Sequence, residues 1–162
     1  MKPAAEVAAL IDASVPVRKC QAPAVDSADQ YSRCAFFFSA AMAGVSRGDI
    51  DVAELYDCFT ITVIVELEDL GFCEKGQGGR FVADGNLISG TGRLPFNTDG
   101  GGLCNNHPAN RGGMTKIIEA VRQLRGEAHP KVQVKNCDIA LAHGTGGALG
   151  ARHGSGTVIM ER

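Results

Sequence analysis

The sequence predicts an α/β layer fold, and three observations carry that expectation. Segments with helical apolar spacing alternate along the chain with short β-branched or continuously apolar runs. Each candidate strand empties into a glycine-rich loop. A chain of 162 residues, 44% hydrophobic and 21% charged, is long enough for one domain with its own core, without disulfides or metal. This composition excludes disorder, collagen-like repeats and coiled coil.

Taken in order, residues 4–11 suit one short helix, VPVRK a possible strand, and QAPAVDS a linker. SADQYSRCAFFFSAAMAG then reads as a helix, with Ser27 to cap it, Asp29 in the first turn and Gly44 to stop it. Its continuous Ala, Phe and Met content requires burial on most sides. VSRGDIDVAELYD contains a short strand around Ile50, Val52 and Leu55 that leads into a polar turn. In CFTITVIVELEDLG the β-branched residues favour a strand, but Phe59, Val63, Glu66, Leu67 and Leu70 mark a helical repeat closed by Gly71, and the period decides for helix. Residues 71–92 are a glycine-rich excursion, LPFN is a short strand, and NTDGGGLCNNHPANRGG is a second irregular stretch. MTKIIEAVRQLRG is the clearest helix, with Ile117, Ile118, Val121 and Leu124 on one side and Lys116, Arg122 and Arg125 expected on the other. CDIALAHGTGG gives a buried strand ending in a Gly turn, and GSGTVIMER a final strand.

Glycine is the outlying component. Eighteen of the 21 glycines fall in 71–113 and 144–156, a clustering that packing does not need but close approach of backbone to a ligand does. In α/β folds ligands bind beyond the strand ends, where these loops lie.

A net charge of -2 gives no broad basic field, so nonspecific nucleic-acid binding lacks its electrostatic term. The six cysteines are scattered singly with no C-x-x-C pair, which predicts reduced, mostly buried thiols and no zinc ribbon. Glu6 and Asp12 interrupt the N-terminal apolar stretch and do not suit a signal peptide, and no apolar run is long enough for a membrane span. The expected location is the cytoplasm.

Phosphate-binding loops fail on spacing: GTGGALG is not G-x-G-x-x-G and precedes a strand, and GFCEKGQG has Gln where a P-loop needs Lys. Two histidines say more. His107 lies in Asn106-His107-Pro108 at the mouth of a helix, and His143 ends an apolar strand just before Gly144-Thr145-Gly146-Gly147. A loop imidazole can act as general base near neutral pH, and Gly turns offer backbone N–H groups for an oxyanion. A purely structural role for each histidine remains the competing reading, a metal pair lacks ligand spacing, and His129 and His153 read as surface residues.

The runs DVAELYDCFTITVIVELEDLGFCEKGQGGRFV, LPFNTDGGGLCNNHPANRGGMTKIIEAVRQLRG and IALAHGTGG resemble, in order and separation, the C-terminal half of the thiolase-like family, in particular its sterol-carrier and lipid-transfer branch. The resemblance covers about 28–162 and sets 1–27 apart as an N-terminal extension with no assigned role. It implies a βαβαβαββ unit, a mixed sheet with helices packed on it. It also implies chemistry on acyl-CoA thioesters, with coenzyme A arriving as part of the substrate and no covalently bound cofactor. In the family the position matching His107 activates a nucleophilic cysteine and helps bind the thioester oxygen, and the position matching His143 is a second acid/base. Asn106, Gly146 and Gly147 fall where oxyanion and substrate contacts are made. Tyr56, in Tyr56-Asp57-Cys58-Phe59, replaces the usual Asn or His. Tyrosine there is similar to the thiolase-like aldolases of steroid side-chain breakdown, which cleave carbon–carbon bonds without a cysteine nucleophile.

The family's nucleophilic cysteine belongs to the N-terminal half, which nothing here resembles; Cys58 and Cys104 lie near the right loops but match no nucleophile. The first expectation is therefore the C-terminal half of an acyltransferase that is inactive without a partner half. The alternatives are half of a retro-aldolase, or a non-catalytic acyl-CoA-binding remnant. A half-thiolase would expose an apolar face, so a homodimer or a heteromer with an N-terminal half is expected, with an OB-fold and zinc-ribbon protein as a further accessory.

Overall fold

The computed structural model describes residues 17–18, 40, 43–105, 107, 112–146 and 154–162. The helix expected over 4–11, most of the helix over 27–44, and His153 lie outside the described residues. Ala40 and Ala43 are helical, and Gly44, at φ +68°, supplies the left-handed stop expected of it.

Four strands form one mixed sheet in the order β1 (Val17–Arg18), β4 (Gly154–Glu161), β3 (Ile139–Gly146) and β2 (Val52–Leu55). β1 and β3 run antiparallel to β4, whereas β2 is parallel to β3, with Leu55 beside His143 and His143 beside Thr157. The expected LPFN strand is reduced to one parallel bridge, Ala53 to Phe96. Pro95 has no N–H to give, and Asn97 turns the chain away at φ +41°. Counting that bridge as a strand recovers the expected α/β alternation.

Helices cover both faces of the sheet. α1 (Thr60–Asp69) forms despite its β-branched residues, because Val63 and Leu67 seat against Ala53, Leu55, Leu141 and Ile159. Gly71, at φ +79°, ends it. α2 (Gly78–Ala83) organises part of the glycine-rich excursion read as irregular. Its first glycine abuts α1, where a Cβ would stand 2.8 Å from Ile64 Cγ2, and its N–H reaches Glu68 Oε1 at 2.8 Å. The short α3 (Gly101–Cys104) likewise lies in the second irregular stretch.

On the opposite face, α4 (Gly112–Arg125) packs Ala120, Val121 and Leu124 against Val52, Ala140, Ala142 and Met160. Here the expected polar side of the helix is corrected. Lys116 is 1% exposed, and Glu119 and Gln123 are buried with it. Lys116, Glu119 and Gln123 follow core spacing, so the helix turns a second, polar stripe inward.

The described thiols differ from the expected burial too: Cys137 is buried, Cys58 and Cys73 are half-buried and Cys104 is exposed. Burial pushes the Cys137 thiol up to about 12. No helix among the described residues is long and apolar enough to cross a membrane, and no cluster among them could hold a metal ion.

Candidate active site

The site is built where β2 ends. Leu55 N–H donates to Asn97 Oδ1 at 2.8 Å, and Tyr56 N–H donates to the His143 carbonyl at 3.0 Å, so the backbone of Tyr56 extends the parallel ladder beyond the strand. Strand alternation turns Leu55 toward α1 and Tyr56 toward α4, where the ring meets Gly112. A Cβ on Gly112 would fall 2.7 Å from Tyr56 Cε2, so this helix start must be glycine for the ring to lie there.

The next residue fixes the opposing loop. Buried Asp57 accepts the Gly102 N–H at 2.7 Å and the Leu103 N–H at 3.2 Å, and Asp99 accepts the Gly101 N–H at 2.8 Å. α3 is held by these carboxylates, and the chain leaving it delivers exposed His107 to Tyr56. Tyr56 Oη lies 3.1 Å from His107 Nε2, and the ring centroids are 5.7 Å apart. The structure therefore brings together two of the three expected catalytic side chains.

His143 is placed differently. It is 2% exposed within β3, and its ring hydrogen-bonds at Nδ1 to Thr157 Oγ1 at 2.8 Å, not to either site ring. Among the described residues its Nε2 has no hydrogen-bond partner. Burial pushes its imidazole down to about 4, so it is neutral at neutral pH. Gly146 is the last residue of β3, paired with Gly154. Asn106 and Gly147 lie outside the described residues. Cys58 Sγ sits 3.4 Å from Thr62 Oγ1, and Cys104 lies in α3.

Sequence reasoning missed the polar layer beneath the pair. Glu54, fully buried in β2, shares Thr98 with Glu119: Thr98 Oγ1 is 2.8 Å from Oε1 of each, and Gln123 Nε2 donates to the same hydroxyl at 2.9 Å. One hydroxyl has one proton, which these two acidic side chains share. Burial pushes the Glu54 carboxyl up to about 8, outweighing the hydrogen bonds it receives from the Thr98 N–H and hydroxyl. The signal for this layer was the spacing of Lys116, Glu119 and Gln123, each a polar residue at a core position.

A tyrosine–histidine hydrogen bond at the end of a sheet strand, backed by a buried polar network, can relay a proton between a bound hydroxyl and the imidazole. Comparison with known proteins agrees with the fold. The family model for the thiolase C-terminal domain-like family matches residues 16–162. The chain is 45% identical over 109 residues to acetyl-CoA acetyltransferase of Methanothermobacter thermautotrophicus, covering 67% of this chain and 28% of that protein. It is 44% identical over 107 residues to 17-hydroxy-3-oxo-4-pregnene-20-carboxyl-CoA lyase of Mycobacterium tuberculosis, covering 65% and 26% respectively. The solved Ltp2-ChsH2(DUF35) aldolase superposes with a TM-score of 0.66 at 39% identity, over 80% of this chain and 31% of that one. The chain thus spans less than a third of the length of each protein it matches here. With a family match over nearly its whole length and a mixed α/β sheet to carry it, the chain belongs to the thiolase C-terminal domain-like family.

Proposed function

We propose that this chain supplies the C-terminal part of a retro-aldolase that cleaves a carbon–carbon bond in a β-hydroxyacyl-CoA thioester. The single observation that carries the reading is the 3.1 Å contact between Tyr56 Oη and His107 Nε2. With its proton on Nδ1, the imidazole of His107 accepts the phenol proton at Nε2, and the phenol oxygen takes the proton of the substrate hydroxyl. That oxygen becomes a carbonyl, the Cα–Cβ bond breaks, and its electron pair passes to Cα as a thioester enolate. Backbone donors of the Gly146 and Gly147 segment stabilise the enolate oxygen, and reprotonation at Cα yields a shortened acyl-CoA and a carbonyl compound. The thioester survives, and no cysteine nucleophile or oxidant enters. His143, neutral and with no hydrogen-bond partner on Nε2 among the described residues, serves as a second proton-handling group near the strand end.

The relatives supply the chemical class: one is named as a CoA lyase, another as an aldolase, and a third as an acetyltransferase acting on acetyl-CoA. The acyltransferase relative keeps thioester condensation as the second reading. Catalysis in either case takes an assembly with the remaining thiolase part. The solved aldolase carries a DUF35 subunit, and on this chain Phe59, Ile61 and Val65 leave an exposed apolar strip on and before α1 that suits such a contact.

The test is Tyr56→Phe in the assembled enzyme. Loss of the hydroxyl lowers carbon–carbon cleavage about 10²- to 10⁴-fold, with the fold intact. A Tyr56→Phe enzyme cleaving at the parental rate would overturn the reading.

A further inference from the structure

A buried ammonium needs fixed counter-charges to offset its desolvation, and the positions of those partners tell what it holds. Lys116 Nζ lies 3.3 Å from Asp99 Oδ1 and 3.7 Å from Asp57 Oδ1. The two carboxylates belong to the two segments that carry the candidate pair: Asp57 follows Tyr56, and Asp99 opens the turn that leads through α3 to His107. Both are also bound to backbone N–H groups of that turn, at Gly101, Gly102 and Leu103. There is little slack between them. Gly101, at φ +67°, lies so close to Asp57 that no Cβ fits, and a Cβ on Gly102 would stand 3.1 Å from Asp57 Oδ1 and 3.4 Å from His107 Cδ2. The other buried acids on this face, Glu54 and Glu119, are engaged by Thr98 and Gln123.

We infer that Lys116 is a positioning residue: by tying the Asp57 and Asp99 carboxylates together it sets the glycine turn against Tyr56 and so fixes the Tyr56–His107 contact. Its catalytic meaning rests on the reading of that pair as the reacting groups. The clamp itself is a structural claim that can fail separately.

The experiment is nuclear magnetic resonance on the full 162-residue chain, comparing the parent with Lys116→Gln, Lys116→Arg and the charge-compensated Asp99→Asn/Lys116→Gln variant. Two readouts matter: the ring-to-ring cross-peaks of Tyr56 and His107, and amide hydrogen exchange. In both glutamine variants the cross-peaks fall and the Gly102 and Leu103 amides exchange on the order of ten-fold faster or more, while those of Leu141 and Ile159 in the sheet hold. Lys116→Arg, which keeps the charge, restores both signals toward the parent. Unchanged cross-peaks and exchange in a folded glutamine variant overturn the clamp. So does equal acceleration across the sheet, or failure of both glutamine variants to fold, since Lys116 would then be a global stabiliser. An intact clamp together with full cleavage by Tyr56→Phe would instead sink the functional reading and leave the clamp standing.

Discussion

The two faces of the sheet differ in how much buried polarity they carry. Under α1 the sheet meets an apolar layer, with Leu67, Leu55, Leu141 and Ile159 at its centre, and the two buried acids of that helix, Glu66 and Asp69, are met by Thr145 and Lys75 respectively. Under α4 it meets an apolar patch beside a buried polar layer of Glu54, Asp57, Lys116, Glu119 and Gln123. Buried charge is expensive, whereas a hydrocarbon core would be no less stable. The polar layer lies where Tyr56 and His107 meet, and the apolar face does not. The α1 face supplies stability, while the α4 face gives up some of it to hold geometry.

Changes to the two faces should therefore differ in kind. The largest effect on stability belongs to the apolar face: Leu67→Ala, at a fully buried side chain, costs about 2–5 kcal/mol by urea denaturation and leaves the Tyr56–His107 contact in place. A loss of that contact on its own would show that the faces are not separable.

On the polar face, Glu54 titrates at about 8 in the folded chain against an ordinary 4.5. Between those values the folded chain keeps a proton that the unfolded chain has released, so this group's contribution to stability falls as pH rises through that window and levels off above about 8. Glu54→Gln removes the dependence. Relative to the parent it gains on the order of 2–4 kcal/mol between pH 5 and pH 8, read from denaturation midpoints across that range. Parallel profiles for parent and variant would contradict the protonated-carboxyl assignment. His143 acts with the opposite sign: held at about 4 against an ordinary 6.5, it lowers stability as pH falls from 6.5 toward 4.

Smaller still is Gly112→Ala, whose added methyl meets the Tyr56 ring. It costs about 1–3 kcal/mol and weakens the ring-to-ring signal, where an alanine elsewhere in a helix would stabilise. The smallest effect is Cys104→Ser, at an exposed thiol with no role in the proposed chemistry, which changes stability by less than about 0.5 kcal/mol and leaves turnover unaltered. Abolished turnover would return a cysteine to the mechanism.

How much of this was legible in the sequence follows the same division. The apolar layers on both faces were readable, because α1 and α4 repeat their apolar residues at helical spacing, β2 is buried throughout and β3 is buried from Ala140 to His143. Gly44 and Gly71 stop helices as their place in the pattern requires. α2 and α3 were not readable, since Gly78 and Gly101 begin helices only because neighbouring segments approach too closely for a side chain. Lys116 was assigned to the solvent side on charge alone. Its burial depends on Asp57 and Asp99, distant in sequence and joined to it only by the fold. Tyr56 and His107 were found through the motifs that carry them, but their direct hydrogen bond is a fact of three-dimensional placement.

Whether this pair serves carbon–carbon cleavage is read from the products that the assembled enzyme forms from a β-hydroxyacyl-CoA with and without added free coenzyme A. A retro-aldol reaction run by Tyr56 and His107 releases a carbonyl compound and a shortened acyl-CoA at the same rate in both, consuming no free coenzyme A. A β-hydroxyacyl-CoA left intact, together with cleavage of the matching β-ketoacyl-CoA that consumes free coenzyme A mole for mole, would contradict this role and return the chain to thiolytic acyl transfer, because a β-hydroxy substrate cannot be thiolysed without an oxidant.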